Sequence, residues 1–387
     1  MRVAIVGTDA KCVSMSLSFG QRDIALMFGS LSKKERSVTL TKPVDVIDLF
    51  CGAGGFSQGA VQAGHRVIFA CDSDSNALET HKRNHPHGCA HRCAMLPIND
   101  IPYPTDGRPY HLHGSPPCQK FSNAQRHGPV SREVMTQNES LVRWFLQEAV
   151  VRSGCTSWSM EEVDSPRLRK ILDQYKWNHR AKLDWDVFDF ELLGVPQSRT
   201  RILAGTPELI VRMRQLRSAR LRRGVRSVID KPRGTHVKGT RSSVTVRQRA
   251  RREPGEAKNV YKKAPLNESC RPIAEPAHTV CASKSPSWVT FERGKPAHSR
   301  IYFDSDDLAA VQTFPPEYKW PAAAVQWRRQ IGNAVPPLVA QLLMGGRPIA
   351  PRAASSAASS PSTAPAESRC SSPSVRRKPP VPRWAWP

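Results

Sequence analysis

The sequence predicts an α/β fold, a doubly wound and mostly parallel sheet, accompanied by a small basic domain. Three observations lead to this prediction. Apolar strand-like runs alternate with helix-like segments in the first half of the chain, a glycine-rich turn follows the first of these strands, and an acidic residue ends the second strand. Strands and helices that alternate at this spacing are typical of doubly wound sheets.

The first two strand–helix units give the clearest pattern. Asp45–Phe50 reads as a buried parallel strand, Cys51–Gly55 as a turn and Phe56–Ala63 as a helix. Val67–Ala70 predicts the second strand, and Asn76–Asn84 predicts the helix that follows it. Runs of β-branched and aromatic residues bounded by glycine or small polar residues favour strands, so both units fit a βα repeat.

Later elements extend the same pattern. The strand-like His111–His113 leads into the loop Gly114–Cys118, Leu141–Val151 has the period of a helix, and Thr156–Met160 returns as a strand. The last regular element is the apolar helix Pro337–Met344. These segments predict that the sheet continues well beyond its first two strands.

Changes in composition divide the chain into five regions. Residues 1–43 form an N-terminal extension of uncertain structure, in which Val3–Val6 is the one strand-like run, and residues 44–205 carry the main α/β pattern. Residues 206–270 are rich in arginine and poor in apolar periodicity, and residues 271–345 return to a regular pattern. Residues 346–387 are mostly Pro, Ala, Ser and Arg, so we expect a disordered tail.

Charge is the strongest feature of the composition. The chain has 387 residues, with 58 Lys and Arg against 33 Asp and Glu, a net charge of +25 and a pI near 10.2. Such an excess predicts a polyanionic partner, and nucleic acid is the first choice. The ten cysteines lack a disulfide-scaffold spacing, and no apolar run is long enough to span a membrane. We expect a reduced, cytoplasmic, nucleoid-associated monomer that does not bind membranes.

Acidic and glycine residues mark a predicted nucleotide-like ligand site at the strand ends. Glycines in a turn let the backbone approach a ligand closely, and the following helix presents free N–H groups. An acid at the end of the second strand is where doubly wound folds bind ribose hydroxyls. A third acid, Asp100, is predicted to end the third strand and to accept a hydrogen bond from an adenine amino group. The alternative is that these acids cap helices or turns. The candidate residues are Asp48, Phe50, Gly52, Gly54, Gly55, Asp72, Asp74 and Asp100.

Cys118 is the candidate nucleophile. It follows Pro116 and Pro117, and prolines stop a strand and fix the backbone of the loop that follows. A thiol on such a loop is exposed and rigid, and it becomes reactive when it is converted to the thiolate. The alternative, a buried structural cysteine, fits the proline and polar neighbours less well.

Five ordered motifs resemble those of the cytosine-5 DNA methyltransferase family. The resemblance extends from Val44 to about Leu343 and is interrupted only by the basic region. Pro276–Thr279 and Ala310–Pro315 also resemble segments of that family, before its final motif. The five motifs are Asp48–Gly55, similar to the first cofactor motif; Pro116–Gln119, similar to the nucleophile loop; Met160–Val163, similar to the Glu-Asn-Val motif; Gln197–Arg201, which matches Gln-x-Arg-x-Arg; and Gln330–Pro336, similar to the final motif.

The resemblance implies a fold, a cofactor and a set of roles. It implies the S-adenosylmethionine-dependent methyltransferase fold, with residues 44–205 as the catalytic and cofactor-binding domain and residues 206–270 as the target-recognition region. Cys118 would add to C6 of a cytosine flipped out of double-stranded DNA, and Glu161 would donate a proton to N3. Arg201 and Arg199 would bind cytosine O2 and the flanking phosphate. Pro117, Asn333 and Val335 would join the S-adenosylmethionine site.

One position departs from the family pattern. Glu162 stands where the family has Asn, and a second carboxylate near the nucleophile loop would raise the pKa of the Cys118 thiol. Glu162 therefore leaves open a catalytically inactive DNA-binding regulator. A second alternative, an RNA cytosine-5 methyltransferase, keeps the chemistry, and the arginine-rich region argues mildly against it. For an active DNA enzyme the role is in restriction–modification with a cognate endonuclease, in a phage, or as an orphan modification enzyme.

Two further clusters were weighed. The arginines of the basic region suit phosphate contacts and guanine recognition, and the alternative is a solvated loop of non-specific affinity. His85, His87, Cys89, His91 and Cys93 are spaced irregularly and contain no Cys-x-x-Cys pair, so the sequence assigns no metal site. The arginines are Arg212, Arg214, Arg217, Arg220, Arg222, Arg223, Arg226, Arg247, Arg249, Arg251 and Arg252.

Overall fold

The computed structural model describes residues 42–117, 132–230, 236–238, 258–263, 267–272, 274–282, 287–292 and 295–346. Several sequence predictions fall outside these ranges and stay predictions. They are the N-terminal segment with Val3–Val6, the nucleophile Cys118, the arginines Arg247, Arg249, Arg251 and Arg252, and the tail from residue 347 onwards.

A seven-stranded sheet forms the centre of the fold. Its strand order is β3-β2-β1-β4-β5-β7-β6. All pairings from β3 to β5 are parallel, and β7 runs antiparallel to both of its neighbours. This mostly parallel, doubly wound order confirms the predicted fold class. The strands are β1 (Asp45–Leu49), β2 (Arg66–Asp72), β3 (Ala90–Cys93), β4 (Tyr110–Gly114), β5 (Ser157–Val163), β6 (Asp184–Asp189) and β7 (Thr200–Gly205).

Helices cover both faces of this sheet. Successive side chains of a strand point to opposite faces, and in β1 the buried Val46 and Ile47 accordingly belong to different core clusters. A sheet buried on both faces explains why its strands read as apolar runs rather than as alternating patterns. The helices are α1 (Gly55–Gln62), α2 (Ser75–Asn84), α3 (Arg132–Gln147), α4 (Pro166–Asn178), α5 (Pro207–Leu216), α6 (Ser305–Val311), α7 (Ala324–Asn333) and α8 (Pro337–Leu343).

Local sequence explains where several helices begin. The Asp74 side chain accepts hydrogen bonds from two backbone N–H groups at the start of α2, and the Ser165 hydroxyl accepts one at the start of α4. Asp304 and Asp307 form a reciprocal capping box at the start of α6. These side chains bind N–H groups that have no partner inside the helix.

The ends of β1 and β4 meet beside β5 at one edge of the parallel strands. Leu49 at the end of β1 is paired with Gly114 at the end of β4, and Gly114 is paired with Met160 of β5. The glycine-rich turn, the loop that leads to Cys118, and the residues after Met160 therefore all start from the carboxyl edge of neighbouring parallel strands. Ligands of open α/β sheets bind at this edge.

A second, five-stranded sheet has the order β10-β9-β11-β12-β8 and is antiparallel throughout its described pairings. Its first strand begins at His236 and its last ends at Tyr302. Its strands are β8 (His236–Lys238), β9 (Lys258–Lys263), β10 (Asn267–Pro272), β11 (Ser287–Glu292) and β12 (Lys295–Tyr302).

The change from the first sheet to the second comes later than residues 206–270 suggested. Helix α5 lies inside that range, yet its Leu209, Ile210 and Met213 pack in a core cluster of the seven-stranded sheet. Their helical spacing is hidden in the sequence by the arginines between them. The second sheet also continues past residue 270, because β11 and β12 pair with it.

Within the part of the chain that the structure describes, no helix is long and apolar enough to cross a membrane.

Candidate active site

The glycine-rich turn after β1 has an unusual backbone. Phe50 has a φ of 58°, a left-handed conformation that non-glycine residues rarely adopt. Because this conformation does not continue a strand, β1 ends at the preceding residue, Leu49. Gly54 has a φ of 95°, and a Cβ there would lie 2.8 Å from the Tyr318 hydroxyl. A Cβ at Gly52 would instead meet nothing within 4 Å. The turn is thus held tightly on one side and borders open space on the other.

Asp72 closes this turn from the neighbouring strand. One oxygen of its carboxylate accepts a hydrogen bond of 2.8 Å from the Gly52 N–H, and the other accepts one of 2.8 Å from the Asp74 N–H. Asp74 caps α2 and lies 3.4 Å from the Arg329 guanidinium. The two predicted acids of β2 therefore lie beside the glycine turn, where Asp72 fixes its backbone.

Asp48 begins a buried chain of hydrogen bonds. The Ser57 hydroxyl donates to Asp48 Oδ2 at 2.6 Å, and His81 Nε2 lies 2.9 Å from the same hydroxyl. Burial raises the pKa of Asp48 to about 7, and the nearby Asp72 charge adds to this effect. Asp48 Oδ1 is buried and has no hydrogen-bond partner among the described residues. An orphaned oxygen at a strand end beside open space fits a polar ligand group.

The prediction that Asp100 ends the third strand is wrong. Strand β3 ends at Cys93, and Asp100 lies in the loop that follows, where its exposed carboxylate pairs with Arg92. That side-chain hydrogen bond lowers the pKa of Asp100. The loop contains Pro97 and Pro102, which have no backbone N–H and do not continue a strand ladder.

The final motif packs directly on the turn. A Cβ at Gly55 would overlap the Val335 carbonyl, so this glycine allows the close approach of the two segments. The Val335 side chain is buried in a core cluster of the main sheet, whereas Asn333 at the end of α7 is exposed. The Tyr318 hydroxyl donates to the Ala53 carbonyl. Both predicted residues of the final motif therefore lie near the glycine turn, and only Asn333 has an exposed side chain.

A buried ladder of histidines and serines joins β4 to β5. His111 contacts Ser157 and Ser159 at 2.8 and 2.9 Å, and His113 contacts Ser159 and Ser115 at 2.8 and 3.1 Å. Burial lowers the pKa of His111 to about 3 and lowers that of His113 well below its usual value. Both rings are therefore neutral at physiological pH.

The histidine–serine ladder ends at the start of the predicted nucleophile loop. The Ser115 N–H donates to the Leu49 carbonyl at 3.3 Å, which ties the loop to the end of β1. Pro116 is buried and Pro117 is exposed. Cys118 itself lies just beyond the described residues, three positions after Ser115.

Glu161 lies among two arginines. It is buried on β5, and its Oε1 is 3.4 Å from Arg201 Nε and 3.8 Å from Arg199 Nη2. These separations are too long for strong charge-assisted hydrogen bonds, and Oε1 has no hydrogen-bond partner within the described part of the chain. The carboxylate is therefore close to positive charge, yet one of its oxygens is left for another donor or acceptor.

The two arginines differ in their surroundings. Arg199 is 2% exposed, and its guanidinium donates to the carbonyls of Val280, Gly332 and Ala334 at 3.2–3.3 Å. Arg199 therefore connects the segment between β10 and β11, which contains Val280, to the final motif. Arg201 is less buried and donates to the Thr200 carbonyl at 2.7 Å. Arg201 is the one better placed to contact a substrate.

Glutamine side chains were missed by the sequence analysis. Buried Gln197 receives the Val280 N–H at 3.0 Å and donates to the Val311 carbonyl at 3.2 Å, and Gln312 donates to the Ala334 carbonyl at 2.6 Å. They brace the segments that Arg199 also connects. The motif Gln-x-Arg-x-Arg names Gln197, but nothing in its spacing indicates partners more than eighty residues away.

Glu162 is buried next to Glu161 on β5. Its Oε2 accepts a hydrogen bond of 3.0 Å from the Val163 N–H. Because successive residues of a strand point to opposite faces, Glu162 projects away from the face that carries Glu161. The residue that replaces the family Asn is therefore a buried acid on the other side of the sheet from the arginine pair.

Several arginines of the basic region have partners inside the protein. Arg214 pairs with Asp184 and Asp186 at 2.6 and 2.8 Å, and Arg217 pairs with Asp186 at 2.5 Å. Arg222 pairs with Glu191 at 2.6 Å. These contacts anchor α5 and the segment after it, and DNA contact by these three arginines stays a prediction. Arg220 and Arg226 are exposed.

The site thus assembles most of the predicted residues at one sheet edge. It brings together the glycine turn, Asp48, Asp72, the loop leading to Cys118, and Glu161 with its arginines. The contact of Asp100 with an adenine amino group stays a prediction. Three further residues belong to this region without having been predicted: Ser57 contacts Asp48, His81 contacts Ser57, and Tyr318 contacts Ala53 of the turn. Ser57 lies two residues after Gly55 in the chain, but no pattern in the sequence indicates its contacts with Asp48 and His81.

Comparison with known proteins identifies the family. The family model described as C-5 cytosine-specific DNA methylase matches residues 44–136 and 175–345. The first matched part contains Cys118 and the glycine turn, and the second contains Arg199, Arg201 and the final motif. Glu161 lies between the two parts.

Individual relatives agree with this match. The chain is 28% identical over 305 residues to the Type II methyltransferase M.HgiDI of Herpetosiphon aurantiacus, covering 75% of this chain and 89% of that protein. It is 25% identical over 315 residues to M.HindV of Haemophilus influenzae, covering 75% and 91%. A crystal structure of a protein assigned as a DNA modification methyltransferase, encoded within an E. coli prophage, shares the fold with a TM-score of 0.53 and 19% identity over 78% of this chain and 98% of that one. The chain belongs to the C-5 cytosine-specific DNA methylase family.

Proposed function

We propose that this protein methylates C5 of cytosine in double-stranded DNA, with S-adenosylmethionine as the methyl donor and Cys118 as the nucleophile. One observation carries the proposal most strongly. The ends of β1 and β4 lie beside the middle of β5, through the pairs Leu49–Gly114 and Gly114–Met160. The glycine turn, the loop leading to Cys118 and Glu161 therefore start from adjacent points, as a reaction between a cofactor, a nucleophile and an acid requires.

The glycine turn has the features of an S-adenosylmethionine site. Open space above Gly52, the orphaned Oδ1 of Asp48 and the strained backbone of Phe50 all occur where a bound ligand would lie. Asp72 is at the position that binds ribose hydroxyls in doubly wound folds. When bound, S-adenosylmethionine supplies an electrophilic methyl group on a sulfonium. Asp74, Pro117, Asn333 and Val335 complete the proposed site, either by contact or by holding the turn.

Cys118 and Glu161 have complementary roles in the proposed chemistry. The Cys118 thiolate adds to C6 of the cytosine, and the electron pair of the C5–C6 double bond moves so that C5 becomes nucleophilic. Negative charge that would otherwise develop on the ring is neutralised by a proton from Glu161 to N3. After C5 has been methylated, a base removes the C5 proton, the S–C6 bond breaks and the double bond re-forms. We assign no residue as that base.

The arginines around Glu161 support this division of labour. Arg201, the less buried of the two, donates to cytosine O2 or to the flanking phosphate, while Arg199 holds the walls of the pocket through its three carbonyl contacts. A stacked base is out of reach of these groups, so the cytosine is flipped out of the duplex. The second sheet and the exposed arginines after α5 are the proposed DNA-recognition surface.

Bisulfite sequencing of DNA from cells that express the chain tests the proposal. We expect protected cytosines in one short sequence context, and we expect the Cys118→Ser variant to return protection to the background level. Equal protection with the wild type and the variant would reject Cys118 as nucleophile. A wild-type level no higher than background in cells with folded protein would reject methylation of cellular DNA.

A further inference from the structure

Three metal-ligating side chains converge beside the glycine turn. They are His81 on α2, Cys89 just before β3, and His91 on β3, and one ligand atom from each lies within 4.8 Å of the other two. We propose that these three side chains bind a zinc ion. This site is separate from the proposed methyl transfer, which requires no metal.

The local structure explains why these residues meet. Cys89 and His91 are two positions apart at the start of an edge strand, so their side chains point to the same face. His81 approaches from the last turn of α2, and its Nδ1 lies 2.9 Å from His91 Nε2. Of the other three members of the cluster singled out in the sequence, His87 and Cys93 are exposed and His85 is buried. The ligand set therefore consists of residues from two elements rather than a run of consecutive motif residues.

A chain of hydrogen bonds orients His81 for this role. Its Nε2 contacts the Ser57 hydroxyl at 2.9 Å, and Ser57 donates to Asp48 Oδ2 at 2.6 Å. With the Nε2 proton donated to Ser57, the lone pair of Nδ1 faces His91 and Cys89. Metal-binding histidines commonly have their second ring nitrogen held in this way by a carboxylate or hydroxyl partner.

The charges and ligand types favour zinc among divalent ions. Two imidazoles and a thiolate are nitrogen and sulfur ligands, which zinc prefers over the oxygen ligands of magnesium and calcium. The 2+ charge would be balanced in part by the Cys89 thiolate. Cys89 and His91 are only half-buried, which gives the ion a path from solvent.

A fourth coordination position remains for solvent or for a nearby side chain. His85 lies next to the cluster, with its ring centroid 4.6 Å from that of His81, and its Nε2 is buried with no hydrogen-bond partner in the described part of the chain. Zinc bound by His81, Cys89 and His91 would join α2 to the four-residue strand β3. It would thereby stiffen the support of Asp48 next to the glycine turn.

Cobalt substitution and metal analysis test the proposal on the full, untagged chain. The protein is dialysed against a chelator, loaded with Co²⁺ or Zn²⁺, freed of excess metal and measured by absorption and by elemental analysis. We expect about one metal per chain. We also expect a thiolate-to-cobalt charge-transfer band and the d–d bands of a tetrahedral site.

Matched variants locate the ligands. Cys89→Ser should abolish the charge-transfer band, and His91→Ala should lower the bound metal at least about tenfold, whereas Cys93→Ser and His87→Ala should behave as the wild type. Circular dichroism of each metal-free variant confirms that it is folded. Because the wild-type cobalt spectrum needs no substitution, the test stands even if one variant misfolds. The proposal is overturned if the wild type retains no metal, or if the Cys89→Ser and His91→Ala variants retain as much as the wild type.

Discussion

Asp72 at the glycine turn and Glu161 on β5 differ in the hydrogen-bond partners of their carboxylates. At the turn, the two carboxylate oxygens of Asp72 accept hydrogen bonds of 2.8 Å from the backbone N–H groups of Gly52 and Asp74. Around Glu161, two guanidiniums lie 3.4 and 3.8 Å away, and one carboxylate oxygen is left without a hydrogen bond among the described residues. Asp72 therefore has a partner for each carboxylate oxygen within the protein, and Glu161 does not.

This difference indicates when each region acquires its partners during the proposed reaction. Backbone N–H groups hold the turn in one conformation before any ligand arrives, so the cofactor end is preorganised. The Glu161 end gains its remaining partners when a base enters, and its interactions then become strongest in the closed complex. Substitutions in the two regions should consequently affect different quantities.

Glu161→Gln should have the largest effect and should leave the cofactor end unchanged. The amide keeps the shape of the side chain but has no acidic proton to donate to N3. We expect kcat to fall by about 100- to 10,000-fold, while the Kd for S-adenosylmethionine, measured by calorimetry, changes by less than about twofold.

Glu162→Asn is the matched control for Glu161→Gln. It alters the neighbouring residue on the opposite face of β5 and introduces the residue that the family has at this position. We expect a change in kcat of less than about tenfold, since Glu162 lies on the opposite face of β5 from Glu161 and its replacement affects the Cys118 thiol only at a distance. A loss as large as that of Glu161→Gln would contradict the assignment of Glu161 as the acid.

Asp48→Asn should change the pH dependence of stability. The folded pKa of Asp48 is about 7, above its ordinary value of 3.8, so the folded state holds this proton over a range where the unfolded chain has lost it. The stability contributed by the protonated group is present below pH 4 and is lost as the pH rises through 7. Over about 3 pH units the loss amounts to about 4 kcal/mol.

Urea unfolding of both proteins between pH 4 and pH 8 measures this effect. We expect the stability of Asp48→Asn relative to the wild type to increase as the pH rises from about 4 to about 7 and to level off above that. Taking the difference between the two curves removes the contribution of the buried histidines, which titrate in both proteins. Two parallel curves would show that Asp48 is not held in its neutral form by burial.

Arg201→Ala and Arg199→Ala should affect different quantities, because Arg201 is proposed to contact the substrate and Arg199 to hold the pocket walls. We expect Arg201→Ala to lower kcat/KM by about 10- to 100-fold with little change in Tm, since it removes donors from the bound base. Arg199→Ala should instead lower the unfolding free energy by about 3 kcal/mol, because three buried carbonyls lose their donor. A stable, folded Arg199→Ala enzyme with an intact pocket would contradict the supporting role.

The region around the glycine turn was predictable because its elements follow each other directly in the sequence. The strand β1, the glycine turn and α1 follow each other directly, so the apolar run and the glycines reveal both the element order and the position of Asp48. Asp72 was placed for the same reason, at the end of the next strand. Asp100 was misplaced because apolar residues near it resemble a strand, while the prolines of that loop prevent one.

Contacts between distant segments were not predictable. Arg199 reaches Val280, Gly332 and Ala334 across more than eighty residues, and no pattern in a single sequence specifies such pairings. The internal partners of Arg214 and Arg217 were missed because a run of arginines looks alike whether its charges face DNA or the acids of β6. The sequence grouped Cys89 with His91 but did not include His81, which lies on α2 rather than near β3.

Trapping with 5-fluorocytosine tests the central claim most directly. Duplex DNA that carries this base in the methylated context is incubated with the protein and S-adenosylmethionine and then run on a denaturing gel. Since fluorine at C5 does not leave as a proton, the enzyme should remain covalently bound to the DNA, and Cys118→Ser should form no such complex. The account is contradicted if wild-type protein that methylates ordinary DNA gives no adduct, or if Cys118→Ser gives the same one.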